Sequence, residues 1–180
     1  MSANNLRELL IEELKDIYDA EHRITKALPK MAEAADSEEL ASAFRKHLKQ
    51  TEEHVRRLEQ VFETLDEKAA RKECKAMVGL LAEGKELMDE DDPNVKDAAL
   101  IAAAQKVEHY EMASYGCVRT WAELLGEDEA RGLLQTTLDE EGATDKKLTE
   151  IAGSLNIEAI EDEDEEMARV KSPSRKSSGR

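Results

Sequence analysis

The 180-residue sequence has few aromatic side chains, few helix-breaking residues and no long apolar run. Aromatics make up 3% of the chain, beside 8 glycines and 3 prolines. A chain rich in Ala, Leu, Glu and Lys with so few breakers favours helices packed through aliphatic side chains, so we expect an all-α protein. No apolar stretch approaches the roughly 20 residues of a membrane span, and no signal-peptide core precedes the first helix, so we expect no membrane partner.

Basic residues and cysteines are also scarce. The chain has 26 basic against 42 acidic side chains, a formal charge of −16. Because no basic face can be assembled, we expect no nucleic-acid partner. Cys74 and Cys117 have no metal-ligand spacing, so two unpaired thiols in a cytoplasmic protein are the simplest account, with a disulfide as the alternative.

Periodicity and capping residues divide residues 1–155 into helices that alternate with short breaks. Pro93 ends a short helix, and Gly126 and Gly153 end the last two long ones. Two long hairpins joined by a short crossover helix match a ferritin-like four-helix bundle. Residues 156–180 lose the apolar periodicity, and we expect a disordered charged tail there. The long helices are predicted at about 5–35, 37–65, 94–125 and 128–152, and the short crossover helix at about 72–90.

Each long helix carries an apolar stripe that polar residues interrupt near its middle. The apolar positions recur at steps of three and four, the spacing of a helix face turned toward a core. At ~1.5 Å per residue the interruptions lie about 20 Å from the hairpin ends, so we expect them to converge at one level. The interrupting residues are Glu21, His47, His54, Glu108, Glu111, Glu141 and Asp145, with Gln50 one step to the side of the second stripe.

Convergence would place five carboxylates in the core of the bundle without a lysine or arginine on any of the four stripes. Two carboxylates about 5 Å apart repel by roughly 3 kcal/mol at an effective dielectric near 20, and burial adds a desolvation cost. Protons could compensate the charge through raised pKa values, together with hydrogen bonds and water. Carboxylates and imidazoles on facing helices are also the ligand set that holds two iron or manganese ions. Both explanations stay open at this point.

Four segments carry a family resemblance, and in their order they cover about residues 5–153. They are "LKDIYDAEHRITKALPKMA" (14–32), "FRKHLKQTEEHVRRLEQVF" (44–62), "DAALIAAAQKVEHYEMASYG" (97–116) and "TLDEEGATDKKLTEIA" (137–152). They resemble the bacterial YciE/YciF family, a ferritin-like family catalogued as a domain of unknown function. The resemblance implies a rubrerythrin-like bundle that forms a homodimer, with a two-metal centre and a role in stress whose reaction is not established. By resemblance, the metal ligands include Glu21, His47, Glu108, Glu111, Glu141 and Asp145.

The chain departs from the family pattern in one of these segments. The family usually has "HLEET" there, whereas this chain has "HLKQT" and so carries Gln50 in place of Glu. An amide keeps an oxygen donor but loses a charge, so metal affinity should fall or the number of ions should change. His54 lies one turn beyond Gln50 and is a further candidate, and the sequence does not choose between His47 and His54.

The leading hypothesis is a stress-associated ferritin-like protein that binds two iron or manganese ions and acts on dioxygen or peroxide. An alternative is a non-enzymatic structural or stress-protective dimer, whose acidic centre only stabilises the fold. A third option, iron storage, needs a large closed shell in addition to a metal centre.

Overall fold

A computed structural model describes the backbone of residues 3–171, and the side chains of residues 3–157, 159 and 160. This part of the chain consists of helices and their connections, as the composition predicted. The helices are α1 (Leu6–Ala34), α2 (Glu38–Thr64), α3 (Lys75–Glu86), α4 (Pro93–Leu125) and α5 (Asp128–Lys171), with a 3₁₀ turn at Leu87–Asp89.

Local capping explains where the helices begin. The Asn5 and Ser37 side chains accept backbone N–H groups at the starts of α1 and α2. The Asp92 side chain does the same at the start of α4. Pro93 is the first residue of α4, a position that needs no backbone N–H donor, so it begins this helix as well as preventing the preceding one from continuing. The short helix starts later than predicted because the Cys74 sulfur caps it, accepting from Met77 N at 3.3 Å.

The ends of α4 and α5 differ from each other. Gly126 ends α4 with a φ of 77°, a left-handed conformation that glycine adopts without strain. Gly153, by contrast, does not end α5, which continues to Lys171 and so enters the segment for which we expected a disordered tail. A helical glycine costs only about 1 kcal/mol, and the Glu, Ala, Met, Arg and Lys that follow favour helix. Residues 172–180, the rest of the expected tail, lie outside the described residues.

The four long helices pack as a bundle in which α1 contacts α2 and α4, and α5 contacts α4 and α2. Their apolar residues form two clusters at opposite ends. The Phe44 cluster joins the C-terminal parts of α1 and α5 to the N-terminal parts of α2 and α4. The Phe62 cluster joins the four remaining halves. The helices α1 and α5 therefore run one way and α2 and α4 the other, and residues 65–92 return along the bundle.

Candidate metal centre

A buried polar layer separates the two apolar clusters at mid-height of the bundle. All four long helices contribute to it, because the apolar stripe of each is interrupted between its Phe44-cluster residues and its Phe62-cluster residues. Every member is at most 4% exposed. The polar layer consists of Glu21 on α1, His47 and His54 on α2, Glu108 and Glu111 on α4, and Glu141 on α5.

The ligand atoms of the polar layer fall into two groups. The His47 group contains His47, Glu108, Glu111 and Glu141, each with one donor atom within 4.8 Å of the others. The His54 group contains Glu21, His54 and Glu141, with the same spacing. Glu141 belongs to both groups and lies between them. The convergence expected from the stripes is thus present for six of the eight predicted residues.

Each histidine turns one ring nitrogen toward the carboxylates. His47 Nε2 lies 3.2 Å from Glu108 Oε1 and 3.9 Å from Glu141 Oε2. His54 Nδ1 lies 2.9 Å from Glu141 Oε1 and 3.6 Å from Glu21 Oε1. Neither nitrogen makes a hydrogen bond, although each lies close to two carboxylate oxygens. Imidazole nitrogens and carboxylate oxygens grouped in this way can serve as ligands of a metal ion.

The opposite ring nitrogens are held from outside the polar layer. His54 Nε2 is 2.8 Å from Glu140 Oε2, and Arg57 Nη1 is 3.0 Å from the same oxygen. His47 Nδ1 is 3.3 Å from Thr144 Oγ1. Such partners fix the orientation and tautomer of a ligating imidazole. Glu140 and Thr144 are absent from the sequence prediction because they lie beside the stripe of α5.

Tyr115 supplies a further contact to the polar layer. It lies on the stripe of α4, and its hydroxyl donates a 2.5 Å hydrogen bond to Glu21 Oε1. The ring is fully buried among apolar side chains of the Phe62 cluster. Tyr115 thus has both a packing role and an orienting contact to Glu21. The signal that could have indicated this contact is a tyrosine one helical turn beyond Glu111 on the same core face.

Burial dominates the electrostatics of the carboxylates. Desolvation raises the pKa of Glu21 and of Glu108 to about 8 in each case, with the neighbouring Glu141 adding to the effect at Glu21. Desolvation likewise raises the pKa of Glu141, and that of Glu111 well above its ordinary value. Protons therefore supply part of the compensation at neutral pH in the absence of a metal.

The two histidines respond differently to the same surroundings. Burial lowers the pKa of His47. Burial also opposes the charged form of His54, but Glu141, Glu21 and Glu140 outweigh it and raise the pKa of His54 to about 9. His54 is thus a cation within the polar layer, a role that the sequence analysis did not assign. Among the side chains of residues 3–157, 159 and 160, no lysine or arginine pairs with Glu21, Glu108, Glu111 or Glu141, and the cation that lies close to Glu21 and Glu141 is His54.

Even with this compensation by protons and His54, many oxygen and nitrogen atoms of the polar layer have no hydrogen-bond partner. Eight buried atoms of the polar layer make no hydrogen bond: Glu21 Oε2, His47 Nε2, His54 Nδ1, Glu108 Oε2, and both carboxylate oxygens of Glu111 and Glu141. Unpaired buried polar atoms each cost about 1–3 kcal/mol, so a cluster of them calls for an explanation. Carboxylate and imidazole donors that converge in this way fit a first-row transition metal ion.

The structure places two predicted residues, Gln50 and Asp145, at the edge of the site. Gln50 is half-buried, because it lies three residues after His47 and is rotated about 60° from it around α2. Asp145 is one turn beyond Glu141, about 6 Å along α5. Its carboxylate accepts from Gln105 Nε2 at 3.1 Å and lies 3.4 Å from His109 Nε2. Neither residue belongs to the two groups of candidate ligands.

Both cysteines lie outside the polar layer and are free thiols, Cys74 buried and Cys117 exposed. The pairing left open by the sequence is therefore absent. Within the described residues, no helix combines the length and the apolar character that a membrane crossing requires.

Fold and site together define a class of protein, the all-helical bundles with a buried layer of carboxylates and histidines. The particular family is shown by comparison: the chain belongs to the family described as "Domain of unknown function (DUF892)", whose pattern matches residues 5–161. It is 47% identical over 154 residues to Protein YciF of Escherichia coli strain K12, covering 84% of this chain and 93% of YciF. The resemblance found in the sequence is thereby confirmed.

Solved structures agree with this membership. The crystal structure of the E. coli stress protein YciF superposes with a TM-score of 0.83 at 46% identity, covering 85% of this chain and 98% of that one. YcfI of Rhodopseudomonas palustris, whose descriptive name includes the words "structural protein", gives a TM-score of 0.80 at 43% identity. That match covers 83% of this chain and 97% of YcfI.

Proposed function

We propose that this chain is a ferritin-like protein that holds two iron or manganese ions in its polar layer and acts on dioxygen or peroxide. The observation that carries the proposal is the set of eight buried carboxylate and imidazole atoms that converge from four helices without making hydrogen bonds. The ferritin-like assignment is supported by the order of the helices, two hairpins joined by one crossover segment.

The six residues of the polar layer fit two ions better than one. His47, Glu108 and Glu111 would hold the first ion, Glu21 and His54 the second, and Glu141 would bridge them because it belongs to both groups. Gln50 and Asp145 lie at the edge of the site, so we expect them to influence metal affinity without direct ligation. When bound, ions of this kind supply redox chemistry toward dioxygen or peroxide.

The protein's own residues would prepare the site for that chemistry. Glu140 and Thr144 orient the two imidazoles, and Tyr115 orients Glu21. The Phe44 and Phe62 clusters exclude water from both ends of the polar layer. Because Glu21 and Glu108 carry raised pKa values, metal binding must displace protons, so affinity should rise with pH.

A non-enzymatic role is the second candidate. In this proposal the protein is a structural or stress-protective homodimer whose acidic centre only stabilises the fold. Two observations favour it: the descriptive name of the R. palustris relative, and Gln50, a neutral amide where the family usually has a carboxylate. A stress role itself is taken from the description of E. coli YciF. The charge of −16 supports the expectation of no nucleic-acid partner.

Metal analysis combined with a turnover assay separates the two candidates. The protein is purified from medium supplemented with iron or manganese, and metal per chain is measured by mass spectrometry before a peroxide-consumption assay. About two equivalents with turnover support the enzymatic proposal, in keeping with two-metal sites generally. Bound metal without turnover supports the structural role, and no bound metal contradicts the metal centre.

The proposal extends to the assembly and the location of the protein. We propose a homodimer in the cytoplasm, the latter because both thiols are free as expected in a reducing compartment. Size-exclusion chromatography with light scattering tests the first point. A large closed shell would instead support iron storage, whereas a dimer would exclude it.

A further inference from the structure

A pocket of about 90 Å³ lies between α2 and α5 and connects the surface with the polar layer. Its outer lining includes Lys46, Ala143 and Lys147, which are exposed. Its inner lining includes His47 and Glu108, which are 4% and 2% exposed. Two members of the polar layer, each with an unpaired donor atom, therefore face a space that begins at the surface.

The walls and the size of the pocket limit what can enter. Between rim and floor it is lined by Leu28, Phe44 and Leu148, whose side chains are all buried and apolar. A volume of 90 Å³ corresponds to about three water molecules, and a cavity that holds benzene is larger, near 150 Å³. The pocket thus has room for a molecule of about two to four nonhydrogen atoms and is smaller than a cavity that holds an aromatic ring.

The pocket reaches only one of the two ligand groups. His47 and Glu108 belong to the His47 group, whereas the pocket lining includes neither Glu21 nor His54. Both of those residues are 0% exposed, and the outer nitrogen of His54 is covered by Glu140 and Arg57. The two groups are therefore similar in composition but unequal in access.

We propose that this pocket is the route by which a small molecule, of the size of dioxygen or hydrogen peroxide, reaches the His47 group, while the His54 group is closed to exogenous ligands. The inference rests on the proposed metal centre and adds that its two ligand groups have different roles. Exchange and reaction belong to the His47 group, and the His54 group fixes the centre in place.

Cobalt(II), which carboxylate and imidazole donors bind, reports on access through its visible absorption. Wild type, Ala143→Phe and the matched control Ala102→Phe, an exposed alanine of α4 outside the pocket, are loaded with cobalt and titrated with azide and with imidazole. Metal content should be equal in all three. Azide should bind and alter the cobalt spectrum of the wild type and the control, and its apparent affinity should be at least about tenfold lower in Ala143→Phe. Imidazole should leave all three spectra unchanged.

The outcomes of this experiment separate the access route from the centre itself. Absence of cobalt from the wild type overturns the proposed function, and this inference with it. Bound cobalt with an equal azide response in wild type and Ala143→Phe overturns the access route alone, as does an imidazole response as strong as that of azide. Circular dichroism of the variants checks that the helices are retained.

A second pair of variants tests the inequality of the two groups. His54→Gln should keep cobalt in the His47 group and retain the azide response. His47→Gln should keep cobalt in the His54 group and show no azide response. The reverse pattern, or an azide response in both variants, would contradict the proposal that only the His47 group is accessible.

Discussion

The polar layer and the two apolar clusters that flank it are equally buried but are kept in place by different means. The Phe44 and Phe62 clusters gain stability from every apolar group removed from water. The polar layer costs stability, since its carboxylates are desolvated and many of their atoms lack partners. The apolar clusters therefore stabilise the fold, whereas the polar layer costs stability, and we propose that it binds metal.

Truncation in a cluster should have the largest effect on folding. Leu100 is fully buried in the Phe44 cluster, and Leu100→Ala should lower the free energy of unfolding by about 2–5 kcal/mol through lost packing and a cavity. Denaturant unfolding measures this change, and metal per folded chain should stay unchanged. Leu124→Ala is the control, because Leu124 is 71% exposed and its truncation should change stability by less than about 0.5 kcal/mol. A loss of metal in folded Leu100→Ala would contradict the division between clusters and layer.

Raising the pH should destabilise the metal-free protein through the polar layer. The folded-state pKa values of Glu21 and Glu108 are raised to about 8, and that of His54 to about 9. A group whose pKa is higher in the folded than in the unfolded protein stabilises the fold at pH values below its unfolded-state pKa. This contribution is lost as the pH rises through its folded-state pKa. The melting temperature of metal-free protein should therefore fall between pH 7 and pH 9.

Bound metal replaces those protons, so the metal-loaded protein should show a flatter profile over the same range. Thermal melts at matched ionic strength, with and without a chelator, make the comparison. Identical profiles with and without metal would contradict the metal centre, and a melting temperature of the metal-free protein that rises with pH would contradict the assigned pKa shifts.

Removal of the Tyr115 hydroxyl should have a smaller effect. Tyr115→Phe keeps the buried ring but leaves Glu21 Oε1 without its 2.5 Å donor. We expect the free energy of unfolding of the metal-free protein to fall by about 1 kcal/mol. Metal affinity should fall about tenfold or more, as it does when other hydrogen-bond partners of metal ligands are removed. Tyr18→Phe is a matched control, because its hydroxyl bonds Glu59 outside the polar layer. Equal metal affinities of the two variants would contradict the orienting role assigned to Tyr115.

The smallest change in stability is expected for Glu111→Gln, with the sharpest change in metal content. Burial raises the pKa of Glu111 well above its ordinary value and so favours the neutral acid, which an amide resembles in shape and charge. Stability of the metal-free protein should change by less than about 1 kcal/mol, whereas bound metal should be lost. Glu150→Gln is the control, with a carboxylate that is 70% exposed. A variant that keeps its metal would exclude Glu111 as a ligand.

Much of this architecture follows from the sequence. The periodicity of leucines and isoleucines gave the four long helices, and Gly126 gave the break between the last two. The interruptions at Glu21, Glu108 and Glu141 also indicated a common level, because helix rise is regular enough to compare positions on different helices.

Gly153 is compatible with a helix or with the end of one, and its neighbours in α5 decide between them. The remaining features depend on tertiary packing. Asp145 and Gln50 lie on or near the stripes, but one helical turn or a rotation of about 60° suffices to place each at the edge of the site. The contacts of His54 to Glu140 and of Tyr115 to Glu21 join different helices, and no local pattern encodes them.

Anomalous diffraction from crystals grown with iron or manganese is a direct test of whether the polar layer binds metal. Data collected on either side of the metal absorption edge locate the ions without reference to any assay. We predict two anomalous peaks between the helices, each within about 2.5 Å of a Glu141 oxygen. Peaks confined to the acidic surface, with ordered water or protonated carboxyls filling the polar layer, would contradict it.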